Sequence, residues 1–209
     1  MITVLNPNSS PAVTAAIESS VQDAALGVDF RVTQLDEAPI AIESAEDVQR
    51  TAPLVAQFAA ALHPGARLVV ACHADPGLAL ARKRASAGVR ITGIGESSML
   101  AACAVADRFG VVSLMEDSVQ RKWEMVTRLG LADRCAAIEA SGTSVLHGVD
   151  PQRDSAPYLT AAERCVQQGA DAVVLGCAGM AGGLAQELEA ALGVPVIEPV
   201  SAAAGLLNT

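Results

Sequence analysis

The chain has 209 residues, enough for one large α/β domain or two small ones, and its 51% hydrophobic residues are ample material for a core. A formal net charge of -9 with only 14 Lys and Arg, together with 2% aromatic residues, excludes a nucleic-acid binder, because phosphate backbones call for clustered cations and exposed bases for stacking rings. No stretch approaches the roughly 18 apolar residues of a membrane span, no basic region precedes the apolar start at Met1, and the five cysteines lack framework spacing; a cytoplasmic protein with reduced thiols and no membrane contact is expected.

In chain order, short apolar runs of strand type fall at residues 1–6, 28–35, 67–72, 89–94, 109–114, 135–140, 171–176 and 194–197. Ala-rich stretches of helical period fill most gaps between them, and this alternation is the signature of a parallel α/β protein. Ser9 or Ser10 before Pro11 suits the start of the first helix, and Gly65, Gly88, Gly130 and Gly169 fall where helices should stop.

The chain carries a weak internal duplication. Leu68-Val69-Val70-Ala71-Cys72-His73 and Val173-Val174-Leu175-Gly176-Cys177-Ala178 share one layout, a buried strand with a cysteine at its carboxyl end, then small turn residues and a helix. Asn6, ending the first strand, precedes Cys72 by 66 residues, and Ser113, ending the fifth, precedes Cys177 by 64. Two pseudo-symmetric α/β lobes follow, each a parallel sheet flanked by helices: residues 1–95, completed by about 192–209, and residues 96–191.

Ligands of parallel α/β sheets sit outside the carboxyl ends of the strands, where the next helix presents free N–H groups and the positive end of its dipole. Either cysteine is therefore expected to hold a thiolate near neutral pH. If the lobes face each other, the two sulfurs approach one carbon from opposite sides, one removing a proton while the other supplies one. Cys103, Cys135 and Cys165, inside expected helices or at a strand edge, read as core residues.

Other polar residues are less committed. His73 reads as a pocket wall, a partner that tunes Cys72, or an exposed loop residue, whereas His63 and His147 carry no motif and read as surface residues. Asn6 and Asn8 suit a turn, but their place after the first strand favours a binding role for at least one. Ser113 can equally cap a helix, Asp75 reads as a cap or turn residue, and Glu43 as surface charge. Gly93-Ile94-Gly95-Glu96-Ser97-Ser98 lacks the third glycine of a dinucleotide fingerprint, and Ser97 reads instead as the cap of the helix that crosses into the second lobe. No His–Cys spacing suits a metal, so neither metal nor organic cofactor is expected.

Asn6-Pro7-Asn8-Ser9-Ser10, the Cys72…Asp75-Pro76-Gly77-Leu78 segment, Arg108-Phe109-Gly110-Val111-Val112, Leu175-Gly176-Cys177-Ala178-Gly179-Met180 and Val194-Pro195-Val196-Ile197 together resemble the hydantoin and allantoin racemases of the aspartate/glutamate racemase superfamily. The resemblance implies two lobes with the site between them, no cofactor, Cys72 and Cys177 as the acid/base pair, and a homo-oligomer. It further implies Asn6 and Ser113 as polar groups at the cleft and the backbone N–H groups after each cysteine, Ala178 and Gly179 among them, as carbonyl-binding donors. His73-Ala74 departs from the Phe-Gly or Thr-Ser of relatives and alters a pocket wall that bears on substrate choice. A racemase of a hydantoin-type ring is the leading expectation; a lyase or isomerase on the same fold, or a binding protein for small anions, is the alternative.

Overall fold

The computed structural model describes residues 1–150 and 152–208. Its first half runs β1 (Ile2–Asn6), α1 (Pro11–Asp23), β2 (Phe30–Gln34), α2 (Ala45–Ala60), β3 (Arg67–Val70), α3 (Leu78–Arg84), β4 (Arg90–Gly93) and α4 (Ile94–Val105). The second runs β5 (Phe109–Ser113), α5 (Asp117–Arg128), β6 (Cys135–Ala140), α6 (Val145–Gly148), α7 (Ala156–Gln167), β7 (Ala172–Leu175), α8 (Leu184–Leu192), β8 (Val196–Ile197) and α9 (Pro199–Leu207).

The strands form two four-stranded sheets, parallel throughout, in the orders β2-β1-β3-β4 and β6-β5-β7-β8. Each order is the other shifted by four strands, so the protein is an α/β fold of two pseudo-symmetric lobes. Strands covered by helices on both faces need no polar alternation. That is why β5 and β7 are buried along their whole length and read in sequence as unbroken apolar runs.

Local signals set several boundaries. Of the two candidate serines, Ser10 caps α1, its Oγ accepting from the Val13 N–H at 3.3 Å with Pro11 in the first turn. Gly130 and Gly169, just beyond α5 and α7, adopt φ of +71° and +92°, a region a β-carbon disfavours. At α4, Ser97 lies inside the first turn and bonds Thr92 at 2.6 Å, contrary to the capping role expected of it. The cap is Asp75, whose carboxylate accepts from the N–H groups of Gly95 and Glu96 at 2.9 and 2.8 Å.

Two helices tie the halves together. α4 leaves the first sheet and packs against β5, β7 and β8 of the second, while α9 leaves the second sheet and packs against β3 and β4 of the first. They also pack on each other, and Arg67 donates to the Leu207 carbonyl at 3.1 Å. Residues 192–209, expected to complete the first lobe, therefore divide: β8 pairs with β7 in the second sheet, and only α9 crosses back. One apolar cluster runs through both halves, joining Ile2, Val4 and Val69 to Val112, Val173 and Val200.

Candidate active site

The two cysteines occupy equivalent places. The Ala71 N–H donates to the Leu5 carbonyl and the Gly176 N–H to the Val112 carbonyl, each at 2.8 Å, so the residue before each cysteine makes the last ladder bond of its strand. Cys72 and Cys177 come next, on the turns that leave β3 and β7. Both line one cavity of about 220 Å³, and both are partly exposed. The backbone then folds back onto each sulfur in the same way: the Gly179 N–H donates to Cys177 Sγ at 3.3 Å, and the Ala74 N–H bonds Cys72.

The expectation of a thiolate near neutral pH needs correction. Burial pushes the Cys72 thiol up to about 12, helped by the charges of Cys177 and Asp75 and opposed by the Ala74 N–H and Lys122. Cys177 is raised as well, by burial first, against the N–H groups of Gly179 and Met180 and the charge of Lys122. The helices expected to lower these values start only at Leu78 and Leu184, six residues after Cys72 and seven after Cys177. The helix dipole acts over about one turn, so desolvation prevails.

A buried lysine that the sequence reading passed over joins the two lobes here. Lys122, on α5, donates to the Gly176 carbonyl at 2.9 Å, and its Nζ lies 3.2 Å from His73 Nδ1. Burial pulls Lys122 down to about 8, while the neighbouring charges of Cys177 and Cys72 act to keep it protonated. His73 is 3% exposed, and burial, then Lys122, hold it well below the usual histidine range, so the ring is neutral. Nδ1 thus accepts from the lysine and Nε2 carries the proton, facing Ser98 Oγ at 3.4 Å. Of its three readings the exposed loop falls away: His73 is buried and lines the cavity, with Lys122 on its Nδ1.

The remaining expected residues separate. Asn6 is fully buried, and its amide is spent inside the lobe on Asn8, Ser10 and Thr14, at 2.9, 3.3 and 3.0 Å; Asn8, not Asn6, lines the cavity. Ser113 is likewise buried and bonds Ser118, which does line it. Asn6 and Ser113 thus play matching parts one layer back, each pinning the loop that follows its strand. Ala178 lines the cavity, whereas Gly179 directs its N–H to sulfur and leaves little room for a side chain, an added β-carbon lying 3.0 Å from Val149 Cγ1.

Glu43, read as surface charge, lines the cavity and latches the lobes: its Oε1 accepts from the Val145 N–H at 2.9 Å and its carbonyl from Arg121 at 2.6 Å. Arg121 and Arg128 add positive charge to the lining, and Ile42, Leu114 and Met115 supply apolar wall. The glycines of Gly93-Ile94-Gly95 make room for a side chain. A β-carbon on Gly93 would fall 2.0 Å from the Asp75 carboxylate, and one on Gly95 would fall 2.3 Å from the His73 carbonyl. Cys135 and Cys165 are core residues with thiols pushed up to about 12 by burial, and Trp123 packs among core side chains of the second lobe. Among the described residues no three His, Cys, Asp or Glu side chains cluster as metal ligands, and no helix is long and apolar enough to cross a membrane.

Two repeated parallel lobes thus present matched cysteines to a single cavity, the architecture of a two-lobed α/β enzyme. The chain belongs to the Asp/Glu/hydantoin racemase family, whose profile matches residues 2–207. It is 33% identical over 208 residues to a hydantoin racemase of Paenarthrobacter aurescens, spanning 97% of this chain and 87% of that protein. The allantoin racemase from Klebsiella pneumoniae superposes with a TM-score of 0.87 at 31% identity, covering 99% of this chain and 85% of that one. The allantoin racemase from Pseudomonas fluorescens gives a TM-score of 0.88 at 25% identity, covering 99% and 88%. In reaction class the protein is an isomerase, a racemase.

Proposed function

We propose that this protein inverts the carbon next to a carbonyl in a hydantoin-type ring, a 5-substituted hydantoin or allantoin, with Cys72 and Cys177 as the acid/base pair and no cofactor. The observation that carries the reading is the equivalence of the two sulfurs, each on the turn after a matched strand and each facing the same cavity. The curated relatives named hydantoin racemase and the solved allantoin racemases support the choice of ring. The apolar wall of Ile42, Leu114 and Met115 suits a ring substituent.

In the forward direction the thiolate of one cysteine takes the proton from the ring carbon and becomes a thiol. The electron pair moves onto the adjacent carbonyl oxygen, giving an enolate. The thiol on the opposite face then returns its own proton to the carbon and is left as the thiolate. One proton leaves the substrate, one arrives, and the cysteines have exchanged roles, so the next turnover starts from the opposite enantiomer. The developing enolate charge needs donors aimed at it. The N–H groups of His73 and Ala178, directly after the two cysteines, have no partner among the described residues and are proposed for that task.

The expected setting is the cytoplasm: all five cysteines are free, and the mechanism needs two of them reduced. The reading is checked by incubating single enantiomers of a 5-substituted hydantoin and of allantoin with the protein in heavy water. Loss of optical activity with one deuterium gained at the ring carbon is expected. Deuterium uptake or bond cleavage without inversion would indicate a lyase-type use of the fold, and no change in any compound would contradict the proposal.

A further inference from the structure

Lys122 is out of place by every rule of composition. It lies on the core-facing stripe of α5 with Val119, Met125 and Val126, is 8% exposed, and forms no salt bridge among the described residues. Lysine is almost never buried this far without a partner, because its ammonium must give up water. Two of its N–H groups are placed, on the Gly176 carbonyl and on the neutral His73 ring, and neither acceptor carries a charge. Asp75 also favours the ammonium, but its carboxylate is bonded to the Gly95 and Glu96 N–H groups, and the larger favourable charges, those of Cys177 and Cys72, are absent when both thiols are protonated. One appears when either thiol ionises.

We propose that Lys122 is the counter-cation of the ionised cysteine, a positioning residue that acts through the Cys72 and Cys177 sulfurs and lets the site hold one thiolate and one thiol. The role rests on the two-cysteine reading above. Geometry suits it to serve both cysteines. Gly176, which fixes the ammonium, immediately precedes Cys177, and His73, which fixes it from the other lobe, immediately follows Cys72. Seat and sulfurs are adjacent in sequence on both sides, so the cation stays put while the thiolate alternates between lobes. Gly176 is also required to be small: a β-carbon there would meet the Val112 carbonyl at 2.4 Å and Lys122 Cε at 3.1 Å.

The charged and titratable groups that face this centre are few. Cys72, His73 and Asp75 come from the end of β3, Cys177 from the end of β7, Arg121 from Lys122's own helix, and Glu43 from the loop before α2. Arg121 is engaged with the Asp117 and Glu43 carbonyls, and Asp75 with the amino end of α4. Arg128 also lines the cavity, but Lys122 is the cation whose charge acts on both Cys72 and Cys177.

Two measurements test this without using turnover. Iodoacetamide alkylation of Cys72 and Cys177, followed residue by residue against pH, should show its midpoint rise by about one unit or more in Lys122→Met, with about tenfold slower labelling at fixed pH below the midpoint. An unchanged midpoint in the folded variant would overturn the role. The chain has only two lysines, Lys83 and Lys122, so nitrogen-15 lysine NMR follows the second directly in the unaltered lysine site. Linkage is reciprocal, and replacing both cysteines (Cys72→Ser with Cys177→Ser) should lower the Lys122 titration midpoint while leaving Lys83 in place. Equal Lys122 midpoints with and without the thiols would overturn the proposal even if Lys122→Met failed to fold. Absence of racemisation by the wild-type protein would count against the proposed function alone.

Discussion

Lys122 Nζ lies 3.2 Å from His73 Nδ1, a contact that crosses from the second lobe to the first. The contact has a thermodynamic cost, because burial pulls Lys122 down to about 8 from an unfolded value near 10.5. Between those values the unfolded chain holds a proton that the folded one has released, so stability rises with pH across that window. The cost of burying the ammonium is present in full below pH 8. Lys122→Met, similar in shape and uncharged, is expected to melt ~3 °C or more above the wild type at pH 7, with the gap closing as pH rises from 8 towards 10. Thermal melts across that range check this, and a variant that melts lower at pH 7 would contradict it.

The thiols should label in a defined order. Cys177 receives backbone N–H groups from Gly179 and Met180, whereas Cys72 receives one, from Ala74, and is pushed up to about 12. Cys177 is therefore expected to react with iodoacetamide before Cys72, and both before the buried Cys135 and Cys165. Labelling at pH 7 should be slow and should accelerate towards alkaline pH. Mass spectrometry of partially labelled protein reads the order directly; Cys72 reacting first, or fast labelling at pH 6, would show that burial does not govern these sulfurs.

Asp75 offers a test of burial against hydrogen bonding. It accepts two N–H groups at the start of α4, yet burial pushes its carboxyl up to about 7. The folded state then holds a proton between about pH 4 and 7 that the unfolded state has released, and the stability this group contributes falls as pH rises through that window. Asp75→Asn cannot titrate. The wild type should lose stability relative to that variant between pH 4 and 7, measured by urea denaturation at each pH. A relative gain instead would mean that the two backbone N–H groups hold the carboxylate ionised.

The frame of the protein was legible because its strands are buried on both faces. Runs such as Leu68-Val69-Val70 and Val173-Val174-Leu175 need no partner in view to be recognised, and each delivers a cysteine at its carboxyl end. What stayed hidden depends on where side-chain hydrogen bonds go, which a strand or helix pattern does not show. Asn6 sits where a ligand-binding residue is expected, but its amide is consumed by Asn8, Ser10 and Thr14. Asp75 caps a helix that begins 19 residues later, and Glu43 meets Val145 only after both lobes are in place. The thiol ionisation was misread because α3 and α8 begin six and seven residues after the cysteines, which no strand pattern reveals. Lys122 left one trace: Val119, Lys122, Val126 and Leu129 share a helical stripe on which a lysine is the odd residue.

The two-cysteine mechanism is tested most directly by separating proton exchange from inversion. Each pure enantiomer of a good substrate is incubated in heavy water with Cys72→Ala and with Cys177→Ala, and deuterium uptake and optical rotation are followed separately. Each variant should lose racemisation by about 10²- to 10⁴-fold, the usual contribution of a positioned acid or base, because inversion needs a donor opposite the acceptor. The remaining cysteine can still remove and return a proton on its own face. Each variant is expected to exchange one enantiomer without changing its configuration, and the two variants should choose opposite enantiomers. Near wild-type racemisation by either variant, or exchange of the same enantiomer by both, would contradict the assignment of Cys72 and Cys177 to opposite faces.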